Sequence, residues 1–445
     1  MRKFLITAIF VSVWTANLGM AVPATAADDD FVSPWEFSCM IRNDKFDYVL
    51  PNAMRRNNID MWIVFDHGRG SEPMMLDFGI ETAYGQGIYI FFDGGGRIER
   101  IVLGGRSDLA EACGAYDKYA RLEDLRTIIE ERDPKRIGLN IAEDPDEGEG
   151  IRLADGLSYT DYKYLEKELG EKYARRFVTA QHLIADFHGE RVAGEIIEFS
   201  KVADITRREL ERALSNEVIT PGKTTHNDVA RWLEERREAM GLHRTWFPTL
   251  YTHLPDGGEI GGTERVIQRG DIVQIDWGLN RNNFSTDMKR FAYVLREGEV
   301  EAPPGVLHAF EEAKKVREII RKNVRSGLTG RVQLDQLKKV IRDAGYVYTE
   351  RERAGDAPGI EVNVGMHAAG NISHDVSAGL FEIYPERTKY EVRPNLILAM
   401  EYIVFTPADE WGGRKIPVNI EENVLVTERG IEWLHPPQDR VLLIR

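Results

Sequence analysis

The sequence predicts an α/β amino-terminal domain followed by an α+β domain built from two related halves. Three observations carry this. Residues from about 31 to 187 alternate between short apolar runs and amphipathic helical stretches, the pattern of helices covering a sheet. A helix–turn–helix unit followed by strands then occurs twice, the mark of an internal duplication. Two hairpins, one in each half, carry acidic residues inside apolar runs. The implied limits are 1–27 for a leader, 28–190 for the first domain and 191–445 for the second.

The leader has a basic start at Arg2 and Lys3, an apolar centre over 4–14, and Ala24, Thr25 and Ala26 as an A-x-A cleavage signal. This is the pattern of a secretory signal peptide. Its apolar centre is shorter than the ~20 residues that span a bilayer. The expectation is an exported protein, periplasmic or secreted, with no membrane anchor after cleavage. Net charge is −15, and −17 without Arg2 and Lys3. Such an acidic balance argues against nucleic acid or anionic lipid as the main partner. Export permits a disulfide between Cys39 and Cys113, but sequence cannot set their distance, and two buried free thiols are equally open.

In the first domain, 46–57 reads as a helix and 60–65 as a buried strand. Segments 87–92 and 97–103 read as a hairpin around Asp93 and Gly94–Gly96. Helices follow at 107–115 and 122–132, a strand at 136–140, and a helix over 158–169 stopped by Gly170. Gly94, Gly95 and Gly96 make a turn and not a phosphate loop, because no helix follows directly. No catalytic constellation assembles here, and the domain reads as structural.

The second domain opens with a long helix over 194–215. Pro221, Gly222, Lys223, Thr224 and Thr225 resemble the end of a phosphate loop, but position 217 is Glu where that motif needs Gly. A turn whose Thr caps the next helix, 227–240, is the better reading. The unit recurs as a helix over 305–325, a turn at Ser326–Thr329 and a helix over 332–344. Gly222 and Gly241 correspond to Gly327 and Gly345. A site at the junction of such halves draws ligands from both.

The first hairpin runs from Gly270 to Arg290. Asn282 and Asn283 suit a tight turn. A turn centred between Arg281 and Asn282 places Asp276 opposite Asp287, and like charges so close destabilise a sheet unless a cation lies between them. Two solvated aspartates are the plainer alternative. In the second half, His367 and His374 are seven positions apart, and Glu401 sits in an apolar strand over 395–405. A buried carboxylate without a partner is costly. A hairpin centred on Trp411 sets Glu401 opposite Glu421. Alternation alone leaves Glu421 and Glu422 as rivals for the site face.

These residues, in the order Asp, Asp, His, Glu, Glu, resemble the ligand set of the pita-bread metallopeptidases, which include aminopeptidase P, prolidase and methionine aminopeptidase, with creatinase as a metal-free relative. The resemblance covers about 193–434, and more weakly the first domain, which is similar to a creatinase-type α/β domain. Asp276 and Asp287 keep the family's spacing of eleven. His367 and His374 match its G-H-x6-H motif, with Met366 inserted after Gly365. The resemblance implies a pita-bread fold with pseudo-twofold duplication. It implies Asp276, Asp287, His367, Glu401 and Glu421 as ligands of two divalent ions, manganese first, with zinc, cobalt or iron as alternatives. Asp287 and Glu421 would bridge the ions, Glu401 would carry a proton to the leaving amine, and His374 would bind the substrate carbonyl.

The implied activity is removal of the amino-terminal residue from short peptides with proline second, in a homodimer. The alternative is a lyase or non-peptide hydrolase acting on a small molecule. Three departures motivate that alternative: the substrate histidine expected near Gly258 has its nearest counterpart at His253, the expected arginine before the last ligand is Asn419, and Tyr402 and Ile403 replace a Pro-Gly.

Overall fold

A computed structural model describes residues 33–66, 74–79, 86–104, 107–142, 154–254 and 259–445. The expected leader lies outside them, as does Gly258. Ser33 opens helix Pro34–Asp44 with a reciprocal capping box to Glu36, and Pro34 occupies a first-turn position where its missing N–H is not needed. This helix runs through a π-helical stretch, Lys45–Val49, into Leu50–Arg56. The sequence pattern marked only its second part.

A six-stranded sheet follows, in the order Lys118–Ala120, Glu99–Gly104, Gly87–Phe92, Met61–Asp66, Ile137–Leu139 and Phe177–Thr179. The expected hairpin pairs Gly87–Phe92 with Glu99–Gly104. Gly170, at the non-helical φ 72° and ψ 171°, interrupts Tyr159–Ala174 where the stop was expected, and a short further helical piece follows it. Gly supplies that conformation at little steric cost, so the chain bends and resumes.

Cys39 and Cys113 form a disulfide with Cα atoms 5.4 Å apart, pinning helix Pro34–Asp44 to helix Ser107–Cys113. It closes a loop of 74 positions. Constraint of the unfolded chain at that length is worth roughly 4 kcal/mol. The double variant Cys39→Ser/Cys113→Ser is expected to lose about that much stability, read as a lower denaturant midpoint.

The second sheet has eleven strands among the described residues, and its main path is symmetric about its centre. From one edge run Glu259–Gly261, Thr249–His253, Ile272–Trp277 and Met288–Val294. From the other run Val347–Tyr348, Glu361–Val364, Ile397–Pro407 and Lys415–Thr427. The halves meet where Met288–Val294 pairs with Lys415–Thr427. Each half brings two helices, Ala193–Ala213 with His226–Ala239 and Pro304–Asn323 with Gly330–Asp343. Thr225 and Thr329 cap the second helix of each pair, and Gly222, Gly241, Gly327 and Gly345 all take positive φ. Alternation packs Val273, Ile275 and Trp277 with Phe199, Val202 and Leu233 of the helices, leaving the other face of that strand for Gln274 and Asp276.

One register differs from the sequence reading. Asn282 and Asn283, at φ 49° and 66°, are the two turn residues, and Arg281 pairs with Phe284. The turn is therefore centred one residue later, and Asp276 faces Lys289 instead of Asp287. The offset is two residues, so every side chain keeps its face. The second hairpin has the expected register, with Glu401 opposite Glu421.

A buried ionic network ties the first region to the second. His188, on helix Gln181–Gly189, lies 2.8 Å from Asp375 and 3.3 Å from Asp77. Arg191 donates to Glu195 at 2.9 Å and to Asp375. Burial disfavours charge on His188, but Asp375 and Asp77 outweigh it and raise the imidazole to about 9. A pKa raised on folding gives stability that is full below the unfolded value and lost as pH climbs through the folded one. Melting temperature is expected to fall between about pH 6.5 and 9, and His188→Gln to flatten that slope, as thermal melts across this range would show.

Candidate metal centre

Four neighbouring strands deliver one row of side chains to the open face of the second sheet. Asp276 pairs with Lys289, Lys289 with Glu421, and Glu421 with Glu401. Asp287 stands two residues before Lys289 on the same face. His367 enters from the short strand His367–Ala368, whose partner is Ala399, two positions from Glu401. His374 follows in a loop, its ring tilted against that of His367 with centroids 4.0 Å apart. The halves of the duplication thus contribute two aspartates on one side and two glutamates with the histidines on the other.

Glu421, not Glu422, holds the site face. Glu422 points to the opposite face, where its carboxylate meets Arg290 at 2.9 Å, both side chains fully buried. It also accepts from the backbone N–H of Gln438.

The ligand atoms converge closely. His367 Nε2 is 3.3 Å from Glu421 Oε1 and 3.8 Å from Asp287 Oδ2. His374 Nε2 is 3.5 Å from the same Asp287 oxygen. Three groups, Asp287–His367–His374, His367–Glu401–Glu421 and Asp276–Asp287–Glu421, each bring one ligand atom per residue within 4.8 Å of the others. Asp276 Oδ1, Glu421 Oε1 and His367 Nε2 are buried without a hydrogen-bond partner. A buried acceptor left so is expensive. Orphaned acceptors of two carboxylates and an imidazole are a donor set suited to a divalent ion.

Electrostatics agree. Burial, then the facing carboxylates, push Asp287 well above its ordinary range, and burial opposed by Lys289 leaves Asp276 up at about 6. Burial and Glu401 likewise raise Glu421. Glu401 goes the other way: burial raises it, but Lys289 outweighs that and holds it ionised. Burial depresses His367 to about 4. The neighbouring His367, then burial, depress His374 to about 3. Both imidazoles are therefore neutral at neutral pH, the form that binds metal.

Lys289 is the residue that sequence reasoning passed over. Its Nζ lies 2.6 Å from Glu421 Oε2, 2.7 Å from Glu401 Oε1 and 3.3 Å from Asp276 Oδ2. The signal was present: strand alternation puts residue 289 on whichever face holds Asp287. A lysine there reads as a solvated flank unless that parity is followed.

A cleft of about 950 Å³ opens over the centre, within the size range of ligand sites. His253 lines its wall, with Nε2 3.2 Å from Gln274 Oε1, and burial lowers its pKa to about 4. Asn419 points its amide at Glu401 Oε1, 3.4 Å away. Arg353 and Arg414 also line the cleft.

The family model described as metallopeptidase family M24 matches residues 198–428, just over half of the chain. The Xaa-Pro dipeptidase of Pyrococcus furiosus is 22% identical over 290 residues, covering 63% of this chain and 73% of that protein. The Pyrococcus horikoshii Xaa-Pro dipeptidase is 24% identical over 296 residues, covering 64% and 74%. Among solved structures, an X-Pro aminopeptidase from Thermotoga maritima superposes with TM-score 0.62 at 16% identity, over 88% of this chain and 99% of that one. An Xaa-Pro dipeptidase from Bacillus anthracis gives 0.59 at 16% identity, over 91% and 99%. These superpositions show a common fold.

Proposed function

Because the chain belongs to metallopeptidase family M24 and has the pita-bread fold behind an α/β amino-terminal region, it is a metal-dependent peptidase, and we propose that it removes the amino-terminal residue from short peptides whose second residue is proline. The convergence of Asp276, Asp287, His367, Glu401 and Glu421 into one cluster, of which Asp276, His367 and Glu401 line the cleft, carries this reading. A divalent ion held there, manganese first, activates water and polarises the scissile carbonyl when bound.

The chain's own residues do the rest. Glu401, kept ionised by Lys289, takes a proton and passes it to the leaving amine. His374, neutral and half exposed at the cleft, donates to the carbonyl oxygen as charge builds on it. His253, neutral on the cleft wall beside Gln274, contacts the substrate there. Arg353 and Arg414 supply cations for the carboxylate of a short peptide. The resemblance implies that Asp276, Asp287, His367, Glu401 and Glu421 would hold two ions, and Lys289 beside Asp276, Glu401 and Glu421 bears on that number.

We also propose that the protein is exported to the periplasm or beyond, as a homodimer. The leader pattern and the Cys39–Cys113 disulfide, a bond that persists in oxidising compartments, support export.

Asn419 favours a second reading, action on a non-peptide small molecule, because it offers Glu401 an amide and the substrate no cation. A substrate panel separates the two. Metal-replete protein is expected to show its highest kcat/KM on Xaa-Pro dipeptides and tripeptides. Turnover of non-peptide amides or esters with no peptide cleaved would overturn the peptide reading.

A further inference from the structure

Lys289 stands in the middle of the row of ligands. Its strand lies between those of Asp276 and Glu421, and the register sets it directly opposite both. Whatever its rotamer, the side chain rises from the centre of the carboxylate cluster. Its ammonium takes one oxygen from each of Asp276, Glu401 and Glu421. The resemblance implies all three as ligands of the two ions. The ammonium therefore sits where oxygens meant for two ions come together.

Asp276 Oδ1, Glu421 Oε1 and His367 Nε2 are left unpartnered. Glu421 shares one ligand group with Asp276 and Asp287 and another with His367 and Glu401, and His367 Nε2 is 3.8 Å from Asp287 Oδ2. Ligand atoms bonded at about 2.0–2.2 Å to one ion lie roughly 3–3.5 Å from each other. His367 Nε2 and Glu421 Oε1, 3.3 Å apart, already have that spacing. A second ion in this cluster would lie close to the ammonium that Lys289 holds 2.6 and 2.7 Å from Glu421 and Glu401, and two cations so close repel.

We propose that Lys289 is a built-in cation replacing one of the two metal ions, so that the centre binds a single divalent ion through Asp287, His367 and Glu421. This deepens the reading of the cluster as a peptidase metal centre and rests on it. Lys289 neutralises one carboxylate charge permanently, positions Glu401 for proton transfer, and leaves one ion to act on the substrate.

Metal content decides it independently of activity. Full-length protein is stripped with chelator, dialysed against manganese or zinc, and counted by elemental analysis and calorimetry. Wild type is expected to hold one ion per chain. Lys289→Thr and Lys289→Ala are expected to hold two, a twofold rise, while Lys289→Arg stays at one. Two ions in the wild type overturn the inference and leave the metallopeptidase reading intact. One ion in correctly folded Lys289→Thr and Lys289→Ala also overturns it. No ion in any form removes the metal centre itself, and the inference with it. The wild-type count stands even if a variant does not fold.

Discussion

Asp287→Ala is expected to strip the centre of its metal and to lower kcat/KM on an Xaa-Pro dipeptide by about a thousandfold or more. Asp287 is buried, and its carboxylate belongs to two of the three ligand groups. Its backbone N–H is fixed by Asn423 Oδ1 at 3.2 Å, so the side chain is aimed by the strand and not by chance. Lewis-acid assistance is worth several kcal/mol, and each 1.4 kcal/mol is about tenfold in rate. The same substitution should not harm the metal-free fold. Burial and facing carboxylates raise the Asp287 pKa, and a carboxyl so raised costs stability once pH exceeds its unfolded value. Its removal is expected to leave the metal-free melting temperature unchanged or higher. Elemental analysis, steady-state kinetics and melts in chelator check the three parts.

Lys289→Met should do the reverse to the metal-free protein. Lys289 is 8% exposed and is the cation that Asp276, Glu401 and Glu421 share among the described residues. Breaking a buried ionic cluster by removing one partner costs about 3–5 kcal/mol, because the remaining charges lose their compensation. The variant is expected to melt well below wild type in chelator and to recover when divalent metal is added, since an ion bound only by the folded state stabilises it by mass action. Equal melts of the two proteins in chelator would contradict the role given to the ammonium.

The candidate ligands could be picked out in the sequence because a carboxylate inside an apolar strand is conspicuous. Glu401 and Asp287 announce themselves, and the turn near Trp411 fixed the register between Glu401 and Glu421. The first hairpin was harder. Arg281, Asn282 and Asn283 allow two turn centres, and only the backbone of Asn282 and Asn283, both left-handed, selects one. Glu421 and Glu422 are both buried, so hydrophobic alternation could not separate them. What separates them is Arg290 on the far face, a contact 132 positions away in sequence. Lys289 was hidden for a simpler reason. A lysine on a strand is usually solvated, and two of its three partners, Glu401 and Glu421, come from a hairpin that the sequence does not show to be adjacent to its own. Helix Pro34–Asp44 owes its start to the Ser33–Glu36 capping box and runs without a break into the stretch that follows, which alone was marked as helical in the sequence.

Turnover of a proline-containing dipeptide by stripped and reloaded protein tests most directly whether this cluster is a peptidase metal centre. Cleavage should be absent in chelator-treated protein and return when manganese, cobalt or zinc is added. Undiminished cleavage by protein shown to contain no metal would contradict it.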